Sequence, residues 1–168
     1  CACEEAGITP DIMCVGKALT GGMMSLAATI TTTQLFDAFL SDSLETALMH
    51  GPTYMANPLA CSAANASLHL FEQEPRLQQI EQIESILTDL LSPFASHSAV
   101  KHVRVKGAIG VVELKNTDWN RIFEMRTEFI SHNIWLRPFS NVIYLTPPFT
   151  INEDELIAIT EAIKKVLG

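Results

Sequence analysis

Two apolar segments near the start of the chain constrain its fold more than any other feature. Residues 11–16 and 24–31 are apolar almost throughout, which is typical of strands buried on both faces. Such strands need neighbouring strands and covering helices, and the residues up to about 60 supply few candidates. Because the chain also begins without an initiator methionine, we predict that it is a fragment and that the rest of a larger sheet precedes residue 1.

Lys17 directly follows the first apolar segment and precedes the paired glycines Gly21 and Gly22. A lysine at the end of a buried strand is partly dehydrated, which favours the neutral amine that can attack a carbonyl carbon. The alternative is a lysine whose stem covers apolar surface while its ammonium group reaches water. The spacing by itself leaves both interpretations open.

A helix is predicted from the segment Asn57-Pro58, which pairs a good N-cap with a proline at the first helical position, to about residue 72. A shorter helix is predicted from Thr32 or Thr33 to about residue 40. Thr53 lies just before the longer helix, where its hydroxyl and backbone N–H could hold phosphate oxygens. The alternative for Thr53 is an ordinary turn residue.

The second part of the chain has the pattern of an α+β unit. The pattern predicts a long amphipathic helix from Pro75, a hairpin of strands at 100–105 and 108–114 turning near Gly107, and a helix over 118–131. That helix is expected to bury Ile122, Phe123, Met125 and Phe129. Short strands are expected near 134–136 and 142–145, followed by a closing helix capped by Asn152. We therefore divide the chain into residues 1–60 and 61–168, the latter with a mostly antiparallel sheet.

Charge and composition exclude several classes of function. The net charge of -8 and the pI near 5.0 oppose nucleic-acid binding, and no apolar run reaches the roughly 18 residues that cross a bilayer. We expect a cytoplasmic protein with a small-molecule partner. Three of the four cysteines lie within the first 14 residues without a nearby histidine, so all four are predicted to be reduced and structural, and no metal is expected.

Two motifs together resemble the class III, fold-type-I, pyridoxal-phosphate-dependent aminotransferases. They are PDIMCVGKALTGG at residues 10–22 and HGPTYMANPLA at residues 50–60. The resemblance implies an α/β fold, with residues 1–60 as the end of the cofactor-binding large domain and 61–168 as the small domain. It also implies that Lys17 is the catalytic lysine, which holds pyridoxal phosphate covalently and then moves a proton from the substrate to the cofactor.

The same resemblance assigns roles to the loop before the long helix. Pro52 and Thr53 would contact the cofactor phosphate of a partner subunit across a homodimer interface, so that the active sites are shared. Gly51 would border the substrate. His50 is more plausibly a hydrogen-bonded structural residue of the loop than a catalytic base.

Arg137 precedes Pro138, where a rigid guanidinium group could bind a carboxylate through two hydrogen bonds. The alternative is a surface ion pair. Within the class, Met55, residues 24–29, WLRPF at 135–139 and IYLTPP at 143–148 most resemble the members of biotin biosynthesis. This narrower resemblance implies S-adenosylmethionine as amino donor, 8-amino-7-oxononanoate as acceptor with its carboxylate on Arg137, and 7,8-diaminononanoate as product.

The chain lacks parts that the class III pattern requires: an aspartate for the pyridine nitrogen, a Gly-Ser loop for the phosphate and an aromatic ring to stack on the cofactor. We therefore predict that the 168-residue chain alone is inactive. Two alternatives stay open. One is a class III aminotransferase with another amino donor or an ω-amino acid substrate, and the other is a non-catalytic C-terminal dimerisation module.

Overall fold

The computed structural model describes residues 2–116 and 118–168, which form two units divided along the chain between Glu74 and Pro75. The first unit contains helices α1 (Ala2–Glu5), α2 (Thr33–Asp37) and α3 (Pro58–Gln73) and strands β1 (Ile12–Val15) and β2 (Ala28–Thr31). The second contains helices α4 (Arg76–Leu91), α5 (Trp119–Ser131) and α6 (Glu153–Leu167) and strands β3 (Val100–Lys106), β4 (Ile109–Leu114) and β5 (Val142–Leu145). The predicted division after residue 60 concerned the domains of a longer protein and stays a prediction.

Strands β1 and β2 form a two-stranded antiparallel sheet in which Ile12 pairs with Thr31 and Val15 with Ala28. The prediction that these strands are buried is wrong for the described chain. Every residue of β2 is exposed, and β1 alternates between exposed and half-buried residues. The physical reason is that the strands pack mainly on each other, while α3 packs on the short 3-10 helix Lys17–Thr20 and not over the sheet.

The helix starts of the first unit follow the side-chain signals in the sequence. Asn57 caps α3, because its Oδ1 accepts hydrogen bonds from the backbone N–H groups of Leu59 (2.9 Å) and Ala60 (3.3 Å), and Pro58 occupies the first turn. Thr32 caps α2 in the same way, through Leu35. The caps confirm both predicted starts, although α2 ends at Asp37 and so is shorter than predicted.

The second unit is built on a three-stranded antiparallel sheet with the strand order β3-β4-β5. Gly107, with φ +55°, turns the chain between β3 and β4, as the sequence predicted. Helix α4 packs on β3 and β4, and α6 packs on both α4 and α5. At Gly110 a Cβ atom would lie 2.7 Å from Leu91 Cδ1, so only glycine lets α4 approach β4 this closely.

One continuous apolar core joins these elements. Its fully buried centre consists of large side chains from all three helices and from β4 and β5, namely Leu87, Leu91, Val112, Ile122, Met125, Phe129, Ile143, Leu156 and Ile163. Helix α6 is fixed at its start by a reciprocal capping box between Asn152 and Glu155, with Oδ1 and Oε2 each accepting a backbone N–H at 2.9 Å. The second unit therefore has the α+β architecture that its sequence pattern predicts.

Two predicted details of the second unit are wrong. Residues 134–136 form no strand, because the chain leaves α5 through the left-handed Asn133 (φ +59°) and then runs irregularly towards β5. Phe123 is 59% exposed, whereas Ile122, Met125 and Phe129 are buried as predicted. Phe123 is exposed because it immediately follows the buried Ile122, and consecutive residues of a helix point to different faces.

Glu113 on β4 forms a compact ionic cluster on the exposed face of the sheet. Its carboxylate accepts hydrogen bonds from Lys101 Nζ at 2.7 Å and from Arg104 Nη1 at 2.5 Å, both on the edge strand β3. Asn141 Nδ2 is a third, longer donor at 3.5 Å. The hydrogen bonds from Arg104 and then Lys101 lower the pKa of Glu113 from 4.5 to about 2.

We expect this cluster to make stability depend on acid pH. Because the folded-state pKa lies below 4.5, ionised Glu113 stabilises the fold above that pH, and the stabilisation is lost as the pH falls towards about 2. Urea unfolding of Glu113→Gln should therefore show a weaker dependence on pH in this window than the unsubstituted chain. Glu81→Gln, an exposed change on α4, is the control, and an unchanged pH dependence in Glu113→Gln would contradict the assignment.

Candidate active site

Lys17 begins the 3-10 helix Lys17–Thr20 with a left-handed backbone conformation (φ 49°), which is uncommon for a residue other than glycine. Gly16 before it is extended, and Ala27 lies close by, since a Cβ on Gly16 would be 3.5 Å from Ala27 Cβ. The expectation of a dehydrated Lys17 is wrong for this structure, because the side chain is exposed. The amine is thus accessible from solvent, and none of the described strands covers it.

The turn that follows Lys17 is held by Thr20, which is 1% exposed. The hydroxyl of Thr20 donates to the Met24 carbonyl oxygen at 2.5 Å and accepts from the Met24 N–H at 3.3 Å. Gly21 and Gly22 between them adopt φ values of +61° and +86°, a conformation that this tight turn requires. Sequence reasoning missed Thr20, although a threonine directly before two glycines is a recognisable turn signal.

Lys17 and residues 22–27 line an open cleft with a volume of about 650 Å³. The polar side chains of this lining are those of Lys17 and Ser25, and the others are glycine, alanine, leucine or methionine. The described lining contains neither a carboxylate nor an aromatic ring. The turn held by Thr20 therefore places a solvent-accessible amine beside a mostly apolar cleft of small-molecule size.

The predicted phosphate loop lies in the same unit but does not line this cleft. Gly51, Pro52 and Thr53 are all exposed, and the Pro52 carbonyl accepts the N–H of Met55 at 2.9 Å in a turn just before α3. No hydrogen bond of the Thr53 hydroxyl is described. The loop thus presents a hydroxyl and backbone groups to solvent near the start of a capped 16-residue helix.

Arg137 belongs to the second unit, and its exposed side chain borders two clefts of about 350 Å³ each. Trp135, Pro147 and Ile151 contribute to the first cleft, and Tyr144 contributes to both. An ion pair was the alternative interpretation of Arg137, but among the residues that the structure describes no carboxylate pairs with it. The guanidinium group is therefore available to a ligand.

Arg126 on α5 lines the second of these clefts together with Arg137, Phe139, Val142 and Tyr144. Its Nη2 donates to the Pro138 carbonyl oxygen at 3.1 Å. Sequence reasoning missed Arg126, because an arginine on a predicted amphipathic helix reads as an ordinary solvated residue. The signal that could have identified Arg126 is its spacing from Phe123. Residues three apart are neighbours on a helix surface, so the aromatic ring lies beside the guanidinium group.

The cysteines and the helices add no further site within the described residues. Cys3, Cys14 and Cys61 are free thiols, and Cys1 lies outside the described residues. None of the described helices combines the length and the apolar composition needed to cross a bilayer.

The fold, the lysine cleft and the two motifs define a class of protein. The family described as aminotransferase class-III matches residues 1–167, and the chain belongs to this family. Relatives named adenosylmethionine-8-amino-7-oxononanoate aminotransferase include one from Buchnera aphidicola subsp. Baizongia pistaciae, which is 40% identical over 167 residues, covering 99% of this chain and 38% of the relative. The Corynebacterium glutamicum relative of that name is 42% identical over 157 residues, covering 94% of this chain and 37% of the relative.

Solved structures agree with this assignment. The enzyme of the same name from Methanocaldococcus jannaschii superposes with a TM-score of 0.84 at 36% identity, over 94% of this chain and 39% of that one. An amine transaminase from an uncultivated Pseudomonas species, solved in its PLP-bound form, gives a TM-score of 0.89 at 28% identity, over 98% and 39%. The predicted fold class is confirmed, and the chain spans less than two-fifths of the length of these relatives.

Proposed function

We propose that this chain is part of a pyridoxal-phosphate-dependent aminotransferase of biotin biosynthesis, with S-adenosylmethionine as amino donor and 8-amino-7-oxononanoate as acceptor. The product would be 7,8-diaminononanoate. The observation that carries the proposal is Lys17, an accessible amine beside a cleft of small-molecule size within a class III motif. Relatives that carry the name of this enzyme at 40–42% identity support the choice of substrates.

The residues around Lys17 fit pyridoxal phosphate in part. The cleft of about 650 Å³ lies within the usual range for small-ligand sites, and the exposed amine can bond to the cofactor aldehyde. Its described lining offers no carboxylate for the pyridine nitrogen and no ring to stack on the cofactor. We therefore propose that the 168-residue chain captures the cofactor but does not complete a transamination by itself.

Two tasks fall to Lys17 in this proposal. Its Nζ would hold the cofactor covalently, and after displacement by an amino donor the free amine would carry a proton from the substrate carbon to a second carbon. The bound cofactor supplies the electron sink that makes the substrate carbon acidic. The turn fixed by Thr20 limits the motion of the backbone that carries Lys17. The amine is therefore held near one position for both tasks.

The loop before α3 is proposed to bind phosphate, with Pro52 and Thr53 acting on the cofactor of a partner subunit and Gly51 beside the substrate. Support comes from the exposed Thr53 hydroxyl and from the exposed turn that it occupies shortly before α3. Because these residues do not line the Lys17 cleft, a shared site in a homodimer suits their placement.

Arg137 is proposed to bind the carboxylate of the acceptor. Its guanidinium group is exposed, has no described ion-pair partner and borders clefts with apolar walls that suit an alkyl chain. A planar guanidinium matches a carboxylate with two parallel hydrogen bonds. This arrangement distinguishes an acceptor that ends in a carboxylate from one that does not.

Cofactor capture tests the proposal directly. We expect that incubation of the chain with pyridoxal phosphate, followed by borohydride reduction and peptide mapping, labels Lys17 well above the other five lysines. Lys17 is the only lysine before Lys101, so its peptide is unambiguous. Labelling spread evenly over the lysines would contradict a cofactor site and would favour a non-catalytic dimerisation module.

A further inference from the structure

The guanidinium group of Arg126 connects helix α5 to the irregular segment that carries Arg137. Its Nη2 donates to the Pro138 carbonyl oxygen at 3.1 Å. Its Cζ lies 5.3 Å from the centroid of the Phe123 ring, one turn earlier on the same helix. The ring and the carbonyl together fix the plane and the direction of the guanidinium group.

The segment 135–138 has few other restraints. Within the part of the chain that the structure describes, the bond from Arg126 is the one hydrogen bond to the backbone of these four residues. Pro138 itself is fully buried, and the chain after it is fixed by two bonds of 2.9 Å between Phe139 and Val142. The position of the Arg137 backbone thus depends on a buried proline whose carbonyl is held by Arg126.

The stability of the fold does not explain why position 126 is an arginine. Its Nε is buried and has no hydrogen-bond partner among the described residues. A buried donor without a partner costs free energy, and this cost is larger on a charged group. A methionine would fill similar space without that cost, so the packing of this position does not by itself require a guanidinium group.

The cleft that Arg126 and Arg137 both line indicates a role for the charge of Arg126. The other walls of this cleft are Phe139, Val142 and Tyr144. The described lining therefore carries two positive charges and no negative one, although the whole chain has a net charge of -8. Two like charges around a partly apolar cleft raise the local concentration of anions, and binding of an anion relieves their repulsion.

We propose that Arg126 is a positioning residue for carboxylate recognition: it holds the Pro138 carbonyl so that Arg137 faces its ligand, and its charge adds to the field of the cleft. This inference rests on the proposed role of Arg137. It predicts that Arg126 affects the binding of a carboxylate more than it affects folding.

Octanoate serves as the probe, because it combines a carboxylate with an unbranched apolar chain. Its dissociation constant for the 168-residue chain is measured by NMR titration, following the amides of Val142 and Tyr144. Arg126→Met should raise this constant by about tenfold, while Arg126→Lys, which keeps the charge and a donor, should stay within about threefold of the original value. Octanamide, which lacks the charge, should bind equally to all variants.

Arg104→Met is the matched control, since it removes one positive charge from β3 at a position outside the cleft. It should leave the octanoate constant within about twofold of the original. Thermal unfolding of each variant separates binding from folding, and Arg126→Met is expected to melt no earlier than Arg126→Lys. If Arg126→Met unfolds, Arg126→Gln takes its place, because glutamine removes the charge and keeps an N–H donor, and octanoate binding within about twofold of the original in this folded variant would overturn the inference.

Failure of the inference and failure of the proposed function give different results. Unchanged octanoate binding in a folded Arg126→Met chain, with binding lost in Arg137→Met, would overturn the role of Arg126 and leave that of Arg137 standing. Unchanged binding in Arg137→Met, or no saturable binding by the unsubstituted chain, would overturn the carboxylate site as a whole. Labelling of Lys17 by pyridoxal phosphate is independent of all these outcomes.

Discussion

A Lys17→Met chain is expected to lose covalent capture of pyridoxal phosphate at position 17 completely. Methionine is also a long unbranched side chain, but it carries no nucleophile, so borohydride reduction can fix no bond there. Lys17→Arg should fail equally, because the guanidinium group keeps its proton at neutral pH. Intact-mass measurement after reduction gives the labelled fraction, which should fall to the background of the five remaining lysines.

Lys165→Met is the control for this experiment, since Lys165 is an exposed lysine near the end of α6. It should leave the Lys17 label unchanged. If the Lys17→Met chain captured as much cofactor as the original chain, another lysine would have to be the attachment site. That result would contradict the proposal that the motif at residues 10–22 carries the cofactor-binding lysine.

Phe129→Ala is expected to destabilise the second unit by about 3–5 kcal/mol, the usual cost of removing a large aromatic side chain from a core. Phe129 lies on α5 and is fully buried, within a core that includes side chains of α4 and α6 and the strands. Alanine would leave a cavity that these neighbours fill only in part. The measurement is the free energy of unfolding from urea denaturation followed by circular dichroism.

Phe123→Ala provides an internal comparison on the same helix. Phe123 is 59% exposed, and its described contact is the guanidinium group of Arg126, so its loss should cost about 1 kcal/mol or less. Equal destabilisation by the two substitutions would contradict the packing of α5. Phe123 would then be a core residue, as the apolar pattern of the helix predicts.

Local signals in the sequence were sufficient for several helix starts and for one turn. The starts of α3 and α6 were predicted from Asn57 and Asn152, and each of these side chains accepts a backbone N–H in the first turn. The turn at Gly107 was likewise predicted from a glycine between two apolar runs. These features depend on contacts within a few residues, which a sequence displays directly.

The failures concern packing between distant residues. Strands β1 and β2 are apolar enough to be buried, yet burial depends on covering elements, and the described residues place none over them. The strand predicted at 134–136 was an apolar run without a pairing partner, since β5 pairs with β4 through residues 142–145. The hydrophobicity of a segment indicates that it prefers to be buried, but it does not show which other element covers the segment.

The residues of the candidate site show the same difference between local signals and contacts of distant residues. Lys17 and Arg137 were predicted from short motifs, and the structure describes each beside a cleft. Thr20 and Arg126 were missed, because their importance lies in the backbone atoms that they hold, the N–H and carbonyl of Met24 and the carbonyl of Pro138. A side chain that fixes a carbonyl twelve residues away leaves no periodic trace in a sequence.

The edge strand β3 has a consequence for how the chain behaves at high concentration. An open strand edge is a template on which a second molecule can add a strand and begin a fibril. The exposed cationic side chains of Lys101, Arg104 and Lys106 repel such an addition by another copy carrying the same charges. These charges disfavour strand addition at β3, and replacing the three residues by neutral β-branched ones is expected to promote aggregation through this edge.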